Sequence, residues 1–197
     1  MKYSLLALLL IVTLTAGCGK AVKEESKGIL FKDDVAFLKQ HTKVVVLAAE
    51  DSPAQAAVNP DLQGRVMTST AGGPDGLSFG WINREFIASK QNNLHMNAFG
   101  GEDRFWLGPE GGQFSIFFKK GVPFNLDNWF TPPPINDEAY EVVAREADRI
   151  HFKKTMHLVN YSETEFDLEL NRVVRLLDEK EVEGLGLAVP EGVKMVA

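Results

Sequence analysis

The sequence predicts an all-β protein, a sandwich or barrel with little helix. Gly and Pro, with 17 and 9 copies, separate short apolar runs, and 13 phenylalanines suit the half-buried surface of a pleated sheet. Apolar and polar residues also alternate over long stretches, which is the strand period. At 197 residues, 45% apolar and 24% charged, the chain has the size and composition of one globular domain.

The first part of the fold is predicted to contain one helix and four short strands. Asp33 or Asp34 can cap a brief helix over the apolar residues Val35, Phe37 and Leu38. Four apolar runs bounded by turn residues follow as predicted strands, at residues 44–47, 54–58, 65–70 and 77–82. A strand roughly every ten to twelve residues is typical of a sandwich or barrel.

The C-terminal third shows the clearest strand pattern. Alternation predicts a three-stranded meander at residues 140–144, 150–158 and 166–176. The alternative for the last segment is a helix with an apolar face of Phe166, Leu170, Val173 and Leu177. Residues 178–183 can form a helical turn, and residues 192–197 begin an apolar strand at which the sequence stops. We therefore expect this chain to be an incomplete version of a longer protein.

Arg172 occupies an unusual position in this meander. The strand phase places it on the same face as Leu168, Leu170 and Val174. Because a cation on an apolar face needs a partner, Arg172 is a candidate ligand-binding residue.

The first 17 residues have the features of an export signal. Lys2 precedes an uncharged apolar run at residues 5–12, which is too short to span a bilayer, and small residues lead to Cys18, the only cysteine. This arrangement resembles a bacterial lipoprotein signal. The resemblance implies lipid attachment at Cys18, a lipidated tether at residues 18–28, a domain at residues 29–197, and anchoring to a bacterial membrane in the cell envelope, at the outer membrane or the periplasmic face.

The charge balance and the motifs exclude several function classes. Acidic residues outnumber Lys and Arg by 27 to 21, and no basic block is present, which argues against a nucleic-acid partner. The sequence also contains no Gly-x-Ser-x-Gly elbow, phosphate loop or dinucleotide-binding glycine pattern.

Residues 95–113 concentrate the side chains that a carbohydrate site requires. Paired glycines allow close backbone approach, and the candidate ligand-binding residues are Glu102, Asp103, Arg104, Trp106 and Glu110. An aromatic ring stacks on the C–H face of a sugar while charged groups bond its hydroxyls. All three tryptophans can be core residues, and Trp106 is the best of them for this role because charged residues and glycine flank it. The alternative is a structural ion-pair cluster that fastens a strand connection.

Metal binding has little support in the sequence. Glu102, Asp103 and Glu110 could together hold Ca²⁺, but no spaced Asp/Asn loop accompanies them. His151 and His157 are separated by about 20 Å on one predicted strand, too far to share an ion. We therefore predict no metal site and no cofactor.

Residues 100–110 resemble the Gly-Gly, basic residue, Trp, Pro-Glu segment of galactose mutarotase-like (aldose 1-epimerase-like) proteins. The whole mature chain is similar to a family of bacterial lipoproteins of unknown function assigned to that fold, with residues 64–70 and 77–83 matching its early strands. The resemblance implies an antiparallel β-supersandwich with a concave sugar-binding face. It also implies that this chain is roughly the N-terminal half.

The resemblance leaves the catalytic pair incomplete. Mutarotases use a His general acid and a Glu general base. Phe99 stands where their His-Gly-Gly signature has histidine, His95 lies too far upstream, and their base comes from the C-terminal half. We therefore expect a membrane-anchored lipoprotein that binds carbohydrate. The alternatives are a sugar epimerase or carbohydrate-processing enzyme that needs a missing half, and a structural or assembly lipoprotein without a small ligand.

Overall fold

The computed structural model describes residues 28–191 and 195–197. The predicted signal, Cys18 and all but the last residue of the predicted tether lie outside these residues, as do residues 192–194 of the predicted final strand. The described chain forms two antiparallel three-stranded sheets with a few short helices. The predicted fold class, an antiparallel all-β sandwich with a short N-terminal helix, is confirmed.

The first sheet is covered by the N-terminal helix. Its strands follow one another in chain order and are β1 Val45–Ala48, β2 Gln55–Asn59 and β3 Arg65–Thr70. Helix α1, Phe31–His41, places Phe31 against Ala57 of β2 and Leu38 against Met67 of β3. These contacts bury one face of the sheet and leave the opposite face for the second sheet.

The second sheet is the predicted C-terminal meander. Its strands are β4 Glu141–Arg145, β5 Arg149–Val159 and β6 Glu165–Arg175. The β5–β6 ladder runs without a register shift from Arg149 opposite Arg175 to Val159 opposite Glu165. The helical alternative for residues 166–177 is therefore wrong. The predicted alternation of buried and exposed side chains is present in β5 and from Leu170 onward in β6, whereas all residues of β4 are exposed.

The two sheets share one apolar core, which makes the arrangement sandwich-like. It consists of Val45, Leu47, Ala56, Val58, Tyr140, Ile150, Phe152 and Leu176. Alternate residues of β1, β2 and β5 supply most of this core because successive side chains point to opposite faces of a sheet, and Tyr140 and Leu176 adjoin β4 and β6. Gly64 lies directly over the Phe152 ring, since a Cβ at residue 64 would be 2.9 Å from Phe152 Cδ2.

The remaining helices are short. The α-helices are α2 Arg84–Ser89, α3 Pro133–Asn136 and α4 Glu179–Gly184, and 3-10 helices occupy Pro60–Leu62 and Leu126–Asn128. The predicted helical turn at residues 178–183 is confirmed in α4, which Asp178 caps together with Glu181. Near the C-terminus, the Leu177 amide donates to Ala197 O and Val196 packs on the shared core.

The predicted cap of α1 is wrong. The helix begins at Phe31 after Leu30, which makes no side-chain cap, and both predicted cap residues lie within the first turn. The buried carboxylate of Asp34 accepts hydrogen bonds from Arg84 at 2.5 Å and from Ser78 at 2.5 Å. Tertiary partners hold this carboxylate, so it is not available to cap the helix.

The predicted strand at residues 77–82 is also wrong. This segment makes only isolated bridges, from Leu77 to Leu30 and from Ile82 to Gly100. The Phe79 amide donates to Ser69 O, but the next amide, of Gly80, donates to the hydroxyl of Thr68. A side chain thus replaces the backbone acceptor, and the ladder beside β3 does not propagate.

The expected regular spacing of strands fails in the middle of the chain. Between β3 and β4 the described residues contain helices, turns and isolated bridges but no regular strand. Aromatic packing organises this region instead: Phe117 and Ile135 pack with Met156 and Leu158 of β5. Among the described residues, no helix has the length and apolar character needed to cross a membrane.

Candidate functional site

The candidate site begins at a pair of glycines, Gly100 and Gly101, which lie beside the start of β3. Gly100 and Gly101 both adopt positive φ angles, 85° and 107°, which side chains disfavour. The Gly101 amide donates to Trp81 O at 2.8 Å, and the Glu102 amide donates to Val66 O at 2.9 Å. A Cβ on Gly100 would lie 2.2 Å from Trp81 O. Only glycine lets the two backbones approach this closely, and the approach positions the charged residues that follow.

Glu102 is held by the edge of the first sheet. Its Oε1 accepts from the Ser69 amide at 2.6 Å, and its Oε2 accepts from the Ser69 hydroxyl at 2.8 Å. Ser69 is buried, whereas Glu102 is exposed. The carboxylate is therefore fixed by the protein on one side and faces solvent on the other.

Asp103 supplies the partner that the position of Arg172 requires. The two side chains form an ion pair, and Arg172 Nε also donates to Gly64 O at 3.3 Å. The Asp103 side chain is 46% exposed and that of Arg172 is 17% exposed. This pair joins the glycine-pair loop to β6 of the second sheet.

Arg104, Trp106 and Glu110 form a separate group. The Arg104 guanidinium lies 3.9 Å from the centre of the Trp106 ring and donates to Ile135 O at 3.1 Å. The indole nitrogen of Trp106 donates to Glu110 Oε1 at 2.7 Å. Trp106 is half-buried and also contacts Phe117, with ring centres 5.1 Å apart. The guanidinium thus occupies the aromatic surface that we expected to stack on a ligand.

The exposed tryptophan at this site is Trp81, whereas the sequence favoured Trp106 for ligand stacking. Its side chain is 65% exposed, and a Cβ on Gly100 would lie 3.0 Å from its Cε3 atom. Leu77 and Phe79 are also more than half exposed, so the odd-numbered residues of this segment share an exposed face. The alternation Leu77, Phe79, Trp81 was the signal available in the sequence. It predicted a strand but not which face was buried.

The residues beneath this surface were not predicted from the sequence. Arg65 is 3% exposed and donates to Gly100 O at 2.7 Å and to Gln63 Oε1 at 3.0 Å. Burial, reinforced by the charge of Arg104, lowers the pKa of Arg65 to about 10. Burial also lowers the pKa of Arg104 and raises the pKa of Tyr140 to about 12. No local motif marks these residues, because their burial depends on the packing of the two sheets.

The described residues contain no group of three or more His, Cys, Asp or Glu side chains arranged to hold a metal ion. The three acids considered for Ca²⁺ have different partners: Ser69 for Glu102, Arg172 for Asp103 and Trp106 for Glu110.

The histidines also have individual roles in the structure. His157 is exposed and bonds to Asp167 at 2.9 Å, as expected for a surface strand residue, and His151 bonds to Asn171 at 3.2 Å. His95 stacks on Phe130 with ring centres 4.6 Å apart.

Comparison with protein families gives a match to most of the chain. The matching family model is described as "Family of unknown function (DUF6786)" and covers residues 29–197. Neither the curated proteins nor the solved structures gave a match. Because the matched region includes the whole described fold and the candidate site, the chain belongs to this family of unknown function.

Proposed function

We propose that this protein is a membrane-anchored lipoprotein of the bacterial cell envelope whose β-sandwich domain binds carbohydrate. The observation that carries the proposal is the exposed indole of Trp81 beside the glycine pair, with two exposed carboxylates on the next residues, Glu102 and Asp103. The resemblance of residues 100–110 to a segment of mutarotase-like proteins supports the same function.

This surface offers both an apolar and a polar group to a ligand, and a sugar has apolar C–H faces and polar hydroxyls. An indole offers a flat apolar platform for ring C–H groups, and carboxylate oxygens accept hydrogen bonds from hydroxyls. Each carboxylate oxygen has two lone-pair sites, so Glu102 and Asp103 keep acceptor capacity beyond their bonds to Ser69 and Arg172. Because backbone bonds fix the glycine-pair loop, little conformational entropy is lost when a ligand binds.

Binding is tested with the full chain in detergent on a glycan array, followed by calorimetric titration of any glycan that binds. Trp81→Ala is expected to weaken binding about tenfold or more, as the loss of an aromatic anchor does. Phe114→Ala, at an aromatic residue that is 62% exposed in another loop, is the matched control and should bind as the wild type does. If no glycan binds saturably, or if both variants behave alike, the carbohydrate proposal is rejected in favour of a structural lipoprotein.

Lipid anchoring is tested separately. Membrane fractionation of cells that express the wild type should recover the protein with membranes, and mass spectrometry should find lipid on Cys18. Cys18→Ser should release the protein or leave its signal uncleaved. Unmodified Cys18 in the mature protein would exclude the anchor without affecting the carbohydrate proposal.

A further inference from the structure

In the described part of the chain, the buried side-chain nitrogens and oxygens that lack a hydrogen-bond partner belong to neighbouring residues. They are Gln63 Nε2, Arg65 Nε, Arg104 Nε and Tyr140 Oη. All four atoms can donate a hydrogen bond. Buried polar groups in folded proteins are nearly always paired, so four unpaired donors in one region call for an acceptor.

These residues, with Arg172, form what we call the arginine–tyrosine cluster. Arg65 begins β3 of the first sheet, whereas Arg172 belongs to β6 of the second. Tyr140 immediately precedes β4, and its amide donates to Pro60 O at 2.9 Å beside the first sheet. The charges of all three arginines act on the Tyr140 hydroxyl, and Gln63 accepts from Arg65. The cluster therefore lies where the two sheets meet.

The cluster contains more positive than negative charge. Arg172 is paired with Asp103, but the hydrogen bonds of Arg65 and Arg104 within the described residues go to neutral oxygens. Three carboxylates also act on the cluster, and each has another partner. Asp103 acts on Arg65 but is paired with Arg172, and Glu110 acts on Arg104 but accepts from Trp106. Glu138 acts on Tyr140 but is paired with Lys154. Burying a cation without an anionic partner is costly, and the lowered pKa values of Arg65 and Arg104 reflect that cost.

A bound oxyanion would satisfy the unpaired donors of the cluster and compensate its positive charge. It accepts hydrogen bonds from several donors at once, and it neutralises the excess charge. Water could accept some of the hydrogen bonds, but it would leave the charge uncompensated. Tyr140 remains protonated far above neutral pH because burial raises its pKa to about 12, so it stays a donor.

We propose that the arginine–tyrosine cluster binds an oxyanionic group of a small ligand, a carboxylate, sulfate or phosphate. The side chains of Arg172 and Asp103 are 17% and 46% exposed, so we expect the group to enter beside this pair. This inference does not rest on the carbohydrate proposal, because neither Trp81 nor Glu102 belongs to the cluster.

The experiment measures thermal unfolding of the full chain during titration with sodium sulfate, sodium phosphate or sodium glucuronate. Sodium chloride at equal ionic strength controls for screening, and glucose is the uncharged counterpart of glucuronate. We expect saturable stabilisation by at least one oxyanion and none by chloride. Much tighter binding of glucuronate than of sulfate identifies the anion as part of an acidic sugar, whereas similar binding identifies a free oxyanion site.

Tyr140→Phe is the decisive variant because it keeps the ring in the core and removes only the unpaired hydroxyl. We expect unchanged folding in anion-free buffer and about tenfold weaker anion binding, the effect of one hydrogen bond to a charged group. Tyr161→Phe is the matched control, since that hydroxyl donates to Val122 O at 3.4 Å in the aromatic region and should not affect binding.

A second variant tests the guanidinium geometry. Arg104→Lys keeps the positive charge but loses the unpaired Nε donor, and it should also weaken anion binding. Equal stabilisation by all salts, including chloride, would overturn the proposal. So would saturable anion binding that Tyr140→Phe and Arg104→Lys leave unchanged. Trp81→Ala separates the two proposals, because it should reduce carbohydrate binding and leave sulfate binding intact.

Discussion

Arg172 on β6 forms an ion pair with Asp103, which lies 69 positions earlier in the chain. The pair connects the glycine-pair loop beside the first sheet to the second sheet. Since the Arg172 side chain is only 17% exposed, the carboxylate compensates a guanidinium that is largely removed from water. The contact therefore contributes both to the packing of the sheets and to the shape of the candidate site.

Asp103→Asn should destabilise the protein. It leaves the Arg172 guanidinium without its carboxylate, and we expect a loss of about 1–2 kcal/mol in the free energy of unfolding, less than for a fully buried pair. Urea denaturation measures this change. Asp75→Asn is the control, because Asp75 pairs with Lys32 on the surface, where both side chains are at least half exposed, and it should destabilise the protein clearly less than Asp103→Asn does. Equal losses in the two variants would show that the Asp103 pair is energetically an ordinary surface contact.

Gly100→Ala should distort the site. The residue has a φ of 85°, and the added Cβ would lie 2.2 Å from Trp81 O, so the two backbones must move apart. We expect a loss of about 2 kcal/mol or more, measured by thermal or urea unfolding. Gly111→Ala is the control, since a Cβ there meets nothing within 4 Å. A Gly100→Ala variant as stable as this control would mean that the close approach is not required.

Tyr140 should make the stability of the protein fall at high pH. Burial raises its pKa from 10.0 to about 12 in the folded state, so between these values the unfolded chain releases the proton while the folded chain keeps it. The contribution of this group is fully present below pH 10 and is lost as pH rises towards 12. Unfolding measured across this interval, with tyrosinate absorbance, should show a step that Tyr140→Phe removes and Tyr161→Phe keeps. A step unaffected by Tyr140→Phe would assign it to another group.

His157 should titrate above its ordinary value of 6.5. A hydrogen bond to Asp167, directly opposite on β6, raises its pKa by favouring the charged imidazole, and the charges of Asp167 and Glu165 act in the same direction. The resulting stability is fully present below pH 6.5 and is lost as pH rises through the raised pKa. An NMR titration should show a lower pKa in Asp167→Asn and no change in Asp51→Asn, which lies in the β1–β2 turn. An unchanged His157 in the first variant would contradict the assigned cause.

Local patterns predicted most of the regular elements because their period is visible along the chain. Alternation located β5 and β6 and placed Arg172 on the core-facing side of its strand. The strand predicted from alternation at residues 77–82 does not form, because the hydroxyl of Thr68 accepts a hydrogen bond from the Gly80 amide and interrupts the ladder. The exposure of Trp81 was not predicted either, since a period of two residues does not show which face of a segment is buried.

The amino-acid sequence by itself determined the antiparallel all-β class, the glycine pair before the acidic residues, and the need of Arg172 for a partner. Only the tertiary structure decided that this partner is Asp103, that Trp81 rather than Trp106 presents an exposed indole, and that Arg65 lies buried beside Arg104 and Tyr140. The physical reason is the distance along the chain between the residues that interact. Side-chain alternation arises between neighbouring residues, whereas burial and charge pairing arise when two sheets pack and bring distant segments together.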